Sequence, residues 1–333
     1  MSEQFRPGPV DPSGSPDGSG SDGWDLNRFR IETLQCASRR GWWPAAGRTY
    51  SAGVSAGVCT ERPVEALLAA LRERVRAEPR LLVAYSGGVD SALVAAVAAE
   101  ELGDRAVAVT AVSASLPRSE RAAARAFTAS HGIAHVEVAT DELERPEYVA
   151  NGGDRCFHCK SALFDALEPL AAISGARIAL GTNIDDLGDH RPGQAAAVAR
   201  GAIAPLLDAG FGKAEVRAVS AAMGLVTADK PAAACLASRV AYGDPVTAEL
   251  LQKVERAEEA VRGLGFPVCR VRTHGGGAVA RVEVPAGDVL RAAGLRAELD
   301  AGVRTAGFEF CALDLQGFAS GRMNVLLGMP SRP

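Results

Sequence analysis

Leu81-Leu82-Val83-Ala84-Tyr85-Ser86-Gly87-Gly88-Val89-Asp90-Ser91-Ala92 is the stretch around which the rest of the chain is read. Leu81 to Tyr85 is apolar throughout, as expected of a strand buried on both faces, and Ala92 already lies inside an apolar helix. Ser86-Gly87-Gly88-Val89-Asp90-Ser91 is therefore the turn between strand and helix. Its two glycines let the backbone approach a ligand and adopt positive φ, and the first N–H groups of the helix lack intrahelical partners. Such a turn binds anions. The helix dipole contributes about 0.3–1 kcal/mol per favourable charge, and the Ser86 and Ser91 hydroxyls add donors. Asp90 repels phosphate unless a cation stands between them, which assigns it to Mg2+ or to orienting the loop. No lysine follows the glycines, so this is not the common P-loop of nucleoside triphosphatases.

Outward from this turn, helical and strand-like segments alternate. Helices are expected over 63–77, 90–102, 118–131, 157–173, 193–200 and 212–223, and strands over 81–85, 106–112, 133–139 and 177–180. This alternation predicts a doubly wound α/β domain over 61–240 with a parallel sheet covered on both faces. The pattern then changes to a charged helix (247–264), alternating strands at 268–273 and 279–284 joined by Gly275-Gly276-Gly277, a helix at 286–300 and a strand at 308–315. The close pair of strands predicts an antiparallel hairpin in a small α+β domain, 241–333. Residues 1–60 are rich in Gly, Ser and Pro without sustained periodicity and are expected to be a disordered extension. Within them Gly41-Trp42-Trp43-Pro44 reads either as a short docking element or as foreign sequence from a misassigned start.

The 333 residues are 47% hydrophobic, carry a formal net charge of −4 and contain no apolar run long enough to span a bilayer or serve as a secretory leader. The expected compartment is the cytoplasm. With no global basic field, a small-molecule substrate is favoured and no nucleic-acid partner is expected. Seven cysteines in a reducing compartment point to metal or catalytic use rather than disulfides. Cys36 and Cys59 fall in the extension, and Cys269 and Cys311 lie in strands as core thiols. Arg155-Cys156-Phe157-His158-Cys159-Lys160 places a CxxC at a helix start, with Cys235 following later in Ala234-Cys235-Leu236-Ala237-Ser238-Arg239. By itself this is a redox pair, half a zinc site, or a three-thiolate site with one metal position open. An iron–sulfur cluster with one non-cysteine iron fits the count, although the spacing is not a ferredoxin pattern. Asp185, Asp186 and Asp189 follow the strand ending at Leu180. Ser86, Asn183 and Asp189 thus converge at the carboxyl end of the sheet, where doubly wound folds place their ligands. His131, His135 and His190 are read as ordinary surface or core histidines.

The SGGVDS turn resembles the signature of the PP-loop ATP pyrophosphatases, which implies ATP as cofactor, transfer of AMP to a substrate and release of pyrophosphate. Over about 63–326 the chain is similar to one family of that class, the LarE family of pyridinium-3,5-biscarboxylic acid mononucleotide sulfurtransferases of nickel-pincer nucleotide biosynthesis. The motifs that carry the resemblance are Ser86 to Ser91, Arg155 to Lys160, Gly181 to Gly193, Cys235 to Arg239 with Tyr242-Gly243, Gly265 to Arg272 and Ser320 to Asn324. The resemblance implies successive conversion of two pyridinium carboxylates to thiocarboxylates. ATP contacts would fall to Ser86, Gly87, Gly88, Asp90, Ser91, Asn183, Asp189 and Arg191, with catalytic groups at Cys156, Cys159, Cys235, Glu258 and Arg239. Arg270, Arg272 and Arg322 are the candidates for the substrate phosphate. Some relatives give up the sulfur of one cysteine near the position of Cys235, leaving dehydroalanine, whereas others hold a 4Fe-4S cluster on three cysteines; this chain matches the three-cysteine pattern. A sulfide donor and a homo-oligomeric state are expected with it. The chemistry is consistent, because adenylation turns a carboxylate oxygen into a leaving group that a soft sulfur nucleophile displaces. The alternative is a tRNA thiolase, against which stand the acidic charge balance and the lack of a Lys/Arg-rich tail. A non-catalytic nucleotide-binding or metal-storage protein is opposed by the intact Ser86, Asp90 and all three cysteines.

Overall fold

Alternation of apolar strands with amphipathic helices builds the first half of the molecule in the expected order. The computed structural model describes residues 62–188, 200–231 and 234–319 together with Ala197, Met323 and Leu326. Helix α1 (Val64–Arg76) leads into β1 (Leu81–Ala84), followed by α2 (Val89–Leu102), β2 (Ala106–Val112), α3 (Arg118–Ser130) and β3 (His135–Ala139). The short α4 (Pro146–Val149) and the long α5 (Arg155–Ser174) precede β4 (Arg177–Ala179), and α6 (Pro205–Asp208) and α7 (Lys213–Ala222) close this part. The strands form one parallel sheet in the order β3-β2-β1-β4, extended beyond β4 by a parallel bridge between Ala179 and Ile203.

Side chains alternate along each strand, and the two faces bury different helices. Leu81 and Val83 pack with α1, α2 and α7 through Leu71, Leu93, Val97 and Val219. Leu82, with Val109 and Ile178, faces Phe164 and Leu167 of α5. Each such fully buried Leu, Val or Phe stabilises the fold by about 1.5–3 kcal/mol. The parallel sheet is thus covered on both sides, as its uninterrupted apolar β1 requires.

The second part comprises α8 (Ala248–Gly263), β5 (Arg270–His274), β6 (Val279–Glu283), α9 (Val289–Gly294), α10 (Arg296–Thr305) and β7 (Phe310–Leu313). β5 and β6 are the expected antiparallel hairpin, and β7 joins β6 in parallel. Thr247 caps α8 by accepting from the Leu250 N–H. Two expectations need correction. The single helix at 286–300 is split, because Gly294 is a weak helix former and Leu295 leaves helical ψ (φ −97°, ψ 26°). The strand at 308–315 shortens to four residues, since Gly307 turns at φ +108° and Asp314 accepts from the backbone N–H groups of Gln316 and Gly317. The core around this sheet also takes in Tyr148, Leu236, Ala237 and Val240, which precede it in sequence. Thr60–Pro333 group as one compact unit. Among the described residues no helix is long and apolar enough to cross a membrane. The expectations for 1–60, and for 193–200 apart from Ala197 and Arg200, lie outside the described residues.

Candidate functional site

The β1–α2 turn has the expected form, with the glycines in different roles. Gly87 adopts φ +76°, where only glycine is unstrained, while Gly88 is extended (φ −82°, ψ 161°) and is the N-cap of α2. Ser91 ties the loop to itself, its hydroxyl accepting from the Ser86 N–H at 3.2 Å and donating to the Gly88 carbonyl at 3.2 Å. Asp90 sits in the first turn of α2 and accepts from Asn183 Nδ2 at 2.8 Å. Asn183, fully buried, also exchanges bonds with Asp186, donating its N–H to Oδ2 and accepting at Oδ1 from the Asp186 N–H. The segment after β4 thereby locks onto the loop. A Cβ at Gly181 would lie 2.6 Å from the Ser91 nitrogen, so glycine is needed for this close approach.

Two loop partners were not anticipated. Lys230 Nζ donates to the Gly87 carbonyl at 2.9 Å and to Glu120 Oε2 at 2.6 Å. A peptide unit is planar and trans, so fixing the Gly87 carbonyl outward turns the Gly88 N–H to the opposite side. A lone lysine in Thr227-Ala228-Asp229-Lys230 carries no sequence signal of this role. Arg217 holds the same segment by donating to the Ala228 and Lys230 carbonyls.

The thiols gather on two segments. Cys156 and Cys159 lie one turn apart at the start of α5, and Cys235 precedes the 3-10 turn Leu236–Arg239. Cys156 and Cys235 are exposed and Cys159 is half-buried. Burial pushes the Cys159 thiol up to about 12; Cys235, Glu142 and Cys156 push it the same way and Lys160 opposes, so all three thiols share one electrostatic neighbourhood. Among the described residues no His, Cys, Asp or Glu trio is arranged around a single ion. Cys269 is buried and donates weakly to the Glu258 carbonyl at 3.7 Å, and Cys311 is half-buried in β7.

Arg239 and Glu258 form a buried pair. Glu258 Oε1 accepts from Arg239 Nε at 2.9 Å and from the Val271 N–H at 3.2 Å, while Oε2 accepts from Arg262 at 2.8 Å. Glu258 is fully buried with both oxygens engaged, so it enters the site as the anchor of Arg239 rather than as a group facing a ligand. Arg239 Nη1 in turn donates to the Ala234 and Cys235 carbonyls at 2.6 and 3.0 Å. Arg272, also buried, bonds Glu283 and donates to the Ser238 carbonyl at 3.1 Å. Arg270 lies 5.1 Å from the Phe318 ring centroid. Burial first, then the positive charges of Arg239 and Arg272, lower the pKa of Arg270. These three guanidiniums act on one another electrostatically, Arg239 and Arg272 being already paired with Glu258 and Glu283. Asp189, Arg191 and Arg322 lie outside the described residues.

Lys230 thus bonds the phosphate loop, and Arg239 holds the Cys235 carbonyl. The asparagine synthase family profile matches residues 64–150, which include this loop. An uncharacterized protein of Synechocystis sp. is 44% identical over 268 residues, 79% of this chain and 99% of that one. An uncharacterized protein of Methanocaldococcus jannaschii is 25% identical over 214 residues, 64% of this chain and 81% of its own length. The pyridinium-3,5-bisthiocarboxylic acid mononucleotide synthase of Lactiplantibacillus plantarum is 34% identical over 260 residues, 78% of this chain and 92% of that protein. With a PP-loop at the carboxyl end of β1 and a likeness that spans nearly all of that synthase, the chain belongs to the LarE family.

Proposed function

We propose that this protein uses ATP and Mg2+ to adenylate the carboxylates of a pyridinium dicarboxylate mononucleotide and then exchanges the activated oxygen for sulfur, releasing AMP. The observation that carries the reading is the segment bearing Cys235. Its Cys235 and Ser238 carbonyls accept from Arg239 and Arg272, and Lys230, five residues before Cys235 in sequence, bonds the PP-loop. In this reading 61–240 supplies adenylation, and 241–333 supplies the substrate phosphate contacts through Arg270 and Arg272, with Arg322 as a further contact. Ser86, Gly87, Gly88 and Ser91 cradle the ATP phosphates, together with Asp189 and Arg191. Asp90, braced by Asn183, holds Mg2+ or sets the loop. Arg239 and Glu258 act by fixing the backbone at Cys235. A tRNA thiolase is not favoured, because the 34% identical relative is named for a mononucleotide product.

Three soft thiols on two neighbouring segments fit a 4Fe-4S cluster held by Cys156, Cys159 and Cys235. When bound, such a group supplies a site for an extra sulfide that a donor replenishes. The chain's own part is to bring these thiols to the activated carboxylate and to hold the substrate phosphate on the arginines. Cytoplasmic residence and a homo-oligomeric state complete the proposal. Pyrophosphate release that depends on the mononucleotide, measured on anaerobically purified protein whose iron and acid-labile sulfide are assayed in parallel, tests it. Pyrophosphate formed without the mononucleotide, or none at all, overturns the reaction, and iron-free protein with full turnover overturns the cluster.

A further inference from the structure

Asn151 is the one non-glycine residue with positive φ among the described residues (+57°), and it is fully buried. Asparagine tolerates this region better than other side chains, yet a strained backbone persists only where its surroundings demand it. Here the demand is visible. Asn151 Nδ2 donates to the Ala241 and Asp244 carbonyls at 2.8 and 2.9 Å, and its own carbonyl accepts from the Gly243 N–H at 3.3 Å. Its Oδ1 accepts from Arg155 Nη1, which also donates to the Ala237 carbonyl at 2.9 Å. The Arg155 guanidinium lies 5.5 Å from the Tyr242 ring centroid.

Arg155 is the first residue of α5, where the helix dipole disfavours a cation, so its position does nothing for the helix itself. It is buried, and the partners named above are neutral. Arg155 immediately precedes Cys156, and Ala237 lies two residues after Cys235. The same guanidinium therefore touches both segments that carry the candidate thiols. Arg239 grips the Cys235 carbonyl from the side of the second sheet, and Arg155 grips the segment from the side of α5.

We propose that the Asn151–Arg155 pair is a positioning device that sets Cys235 opposite Cys156 and Cys159, with the left-handed turn at Asn151 aiming its side chain into the Ala241–Asp244 loop. Both residues act through the backbone they hold and touch no reacting atom. The proposal rests on the reading that the three thiols work together, and it adds what registers them. A hydrophobic side chain at 155 would fill space without bridging Ala237 to Asn151. Lysine would keep a donor of shorter reach and restore part of the contact.

Dibromobimane, which fluoresces once it bridges two thiols, reads this register directly in the full reduced chain freed of metal, with the bridged cysteines mapped by peptide mass spectrometry. The wild-type chain is expected to bridge Cys235 to Cys156 or Cys159. Arg155→Met is expected to slow bridging at least about tenfold while single alkylation of the exposed Cys235 keeps its rate, and Arg155→Lys to fall between. Asn151→Gly, which keeps the left-handed backbone accessible and removes the side-chain bonds, is expected to match Arg155→Met. It decides the matter if Arg155→Met does not fold, as judged by melting. Bridging at the wild-type rate in folded Asn151→Gly and Arg155→Met overturns the proposal alone. A wild-type chain that never bridges these cysteines overturns the three-thiol reading and this proposal with it.

Discussion

Gly87 and Gly88 look equivalent as letters but differ in the fold. An alanine at 87 must adopt φ +76°, which costs roughly 1–2 kcal/mol, on the order of tenfold in the population of the phosphate-ready loop. An alanine at 88 places its Cβ 3.6 Å from Ser86 Oγ, an ordinary contact in an extended backbone. Pyrophosphate release should accordingly fall about tenfold in Gly87→Ala and little in Gly88→Ala; equal losses would mean that the loop conformation is not the limiting feature. At Glu258 the expected effect is on stability. Glu258→Ala strands Arg239 inside the protein, and breaking such a buried pair costs about 3–5 kcal/mol, readable as a lower urea midpoint. The phosphate loop was legible because a strand, a glycine turn and a helix announce themselves within twelve residues. Lys230, Glu120 and Asn151 were not, since their meaning lies chiefly in partners 90 to 143 residues away that no local spacing encodes.

Elements show the same division between local and distant causes. β1, β2 and α2 fall within a residue or so of their expected ends, because an apolar run between turn residues leaves little choice of register. The helix expected at 286–300 failed at Gly294, where a weak helix former sits between two packed segments and tertiary contacts choose the break. At the sheet edge, Arg121 and Arg125 of α3 both grip Glu137 of β3. Hydrogen bonds from Arg121 and then Arg125 lower the Glu137 carboxyl to about 2. An unfolded glutamate titrates near ~4.3. The clamp therefore contributes fully above that value and is lost as pH falls toward 2. Glu137→Gln should lower the melting temperature slightly at pH 7, and the difference should vanish near pH 2. A difference that persists in acid would locate the effect elsewhere.

For the molecule as a whole, the arginine cluster and the thiols make separable demands. Arg270→Ala should raise the KM for the mononucleotide far more than that for ATP, because Arg270 stands with Arg239 and Arg272 rather than at the β1–α2 turn. Equal effects in steady-state kinetics would detach it from the substrate phosphate. Anaerobically reconstituted enzyme given the dicarboxylate mononucleotide, ATP, Mg2+ and sulfide should make more than one thiocarboxylate per chain, and replacing Cys156, Cys159 or Cys235 by alanine should stop it. Intact mass should show no loss of H2S from the protein; that loss at Cys235, with one transfer or fewer per chain, would establish a sacrificial cysteine instead.

The bond from Lys230 to the Gly87 carbonyl also has a meaning in time, because 143 residues separate its ends. A ribosome adding about 5–20 residues per second needs roughly 7–30 s between the two. Throughout that interval the nascent β1–α2 turn exists without its latch. Until Lys230 has been made, the shape of that turn rests on the bonds Ser91 makes within it and on the apolar packing of β1, α1 and α2 beneath it.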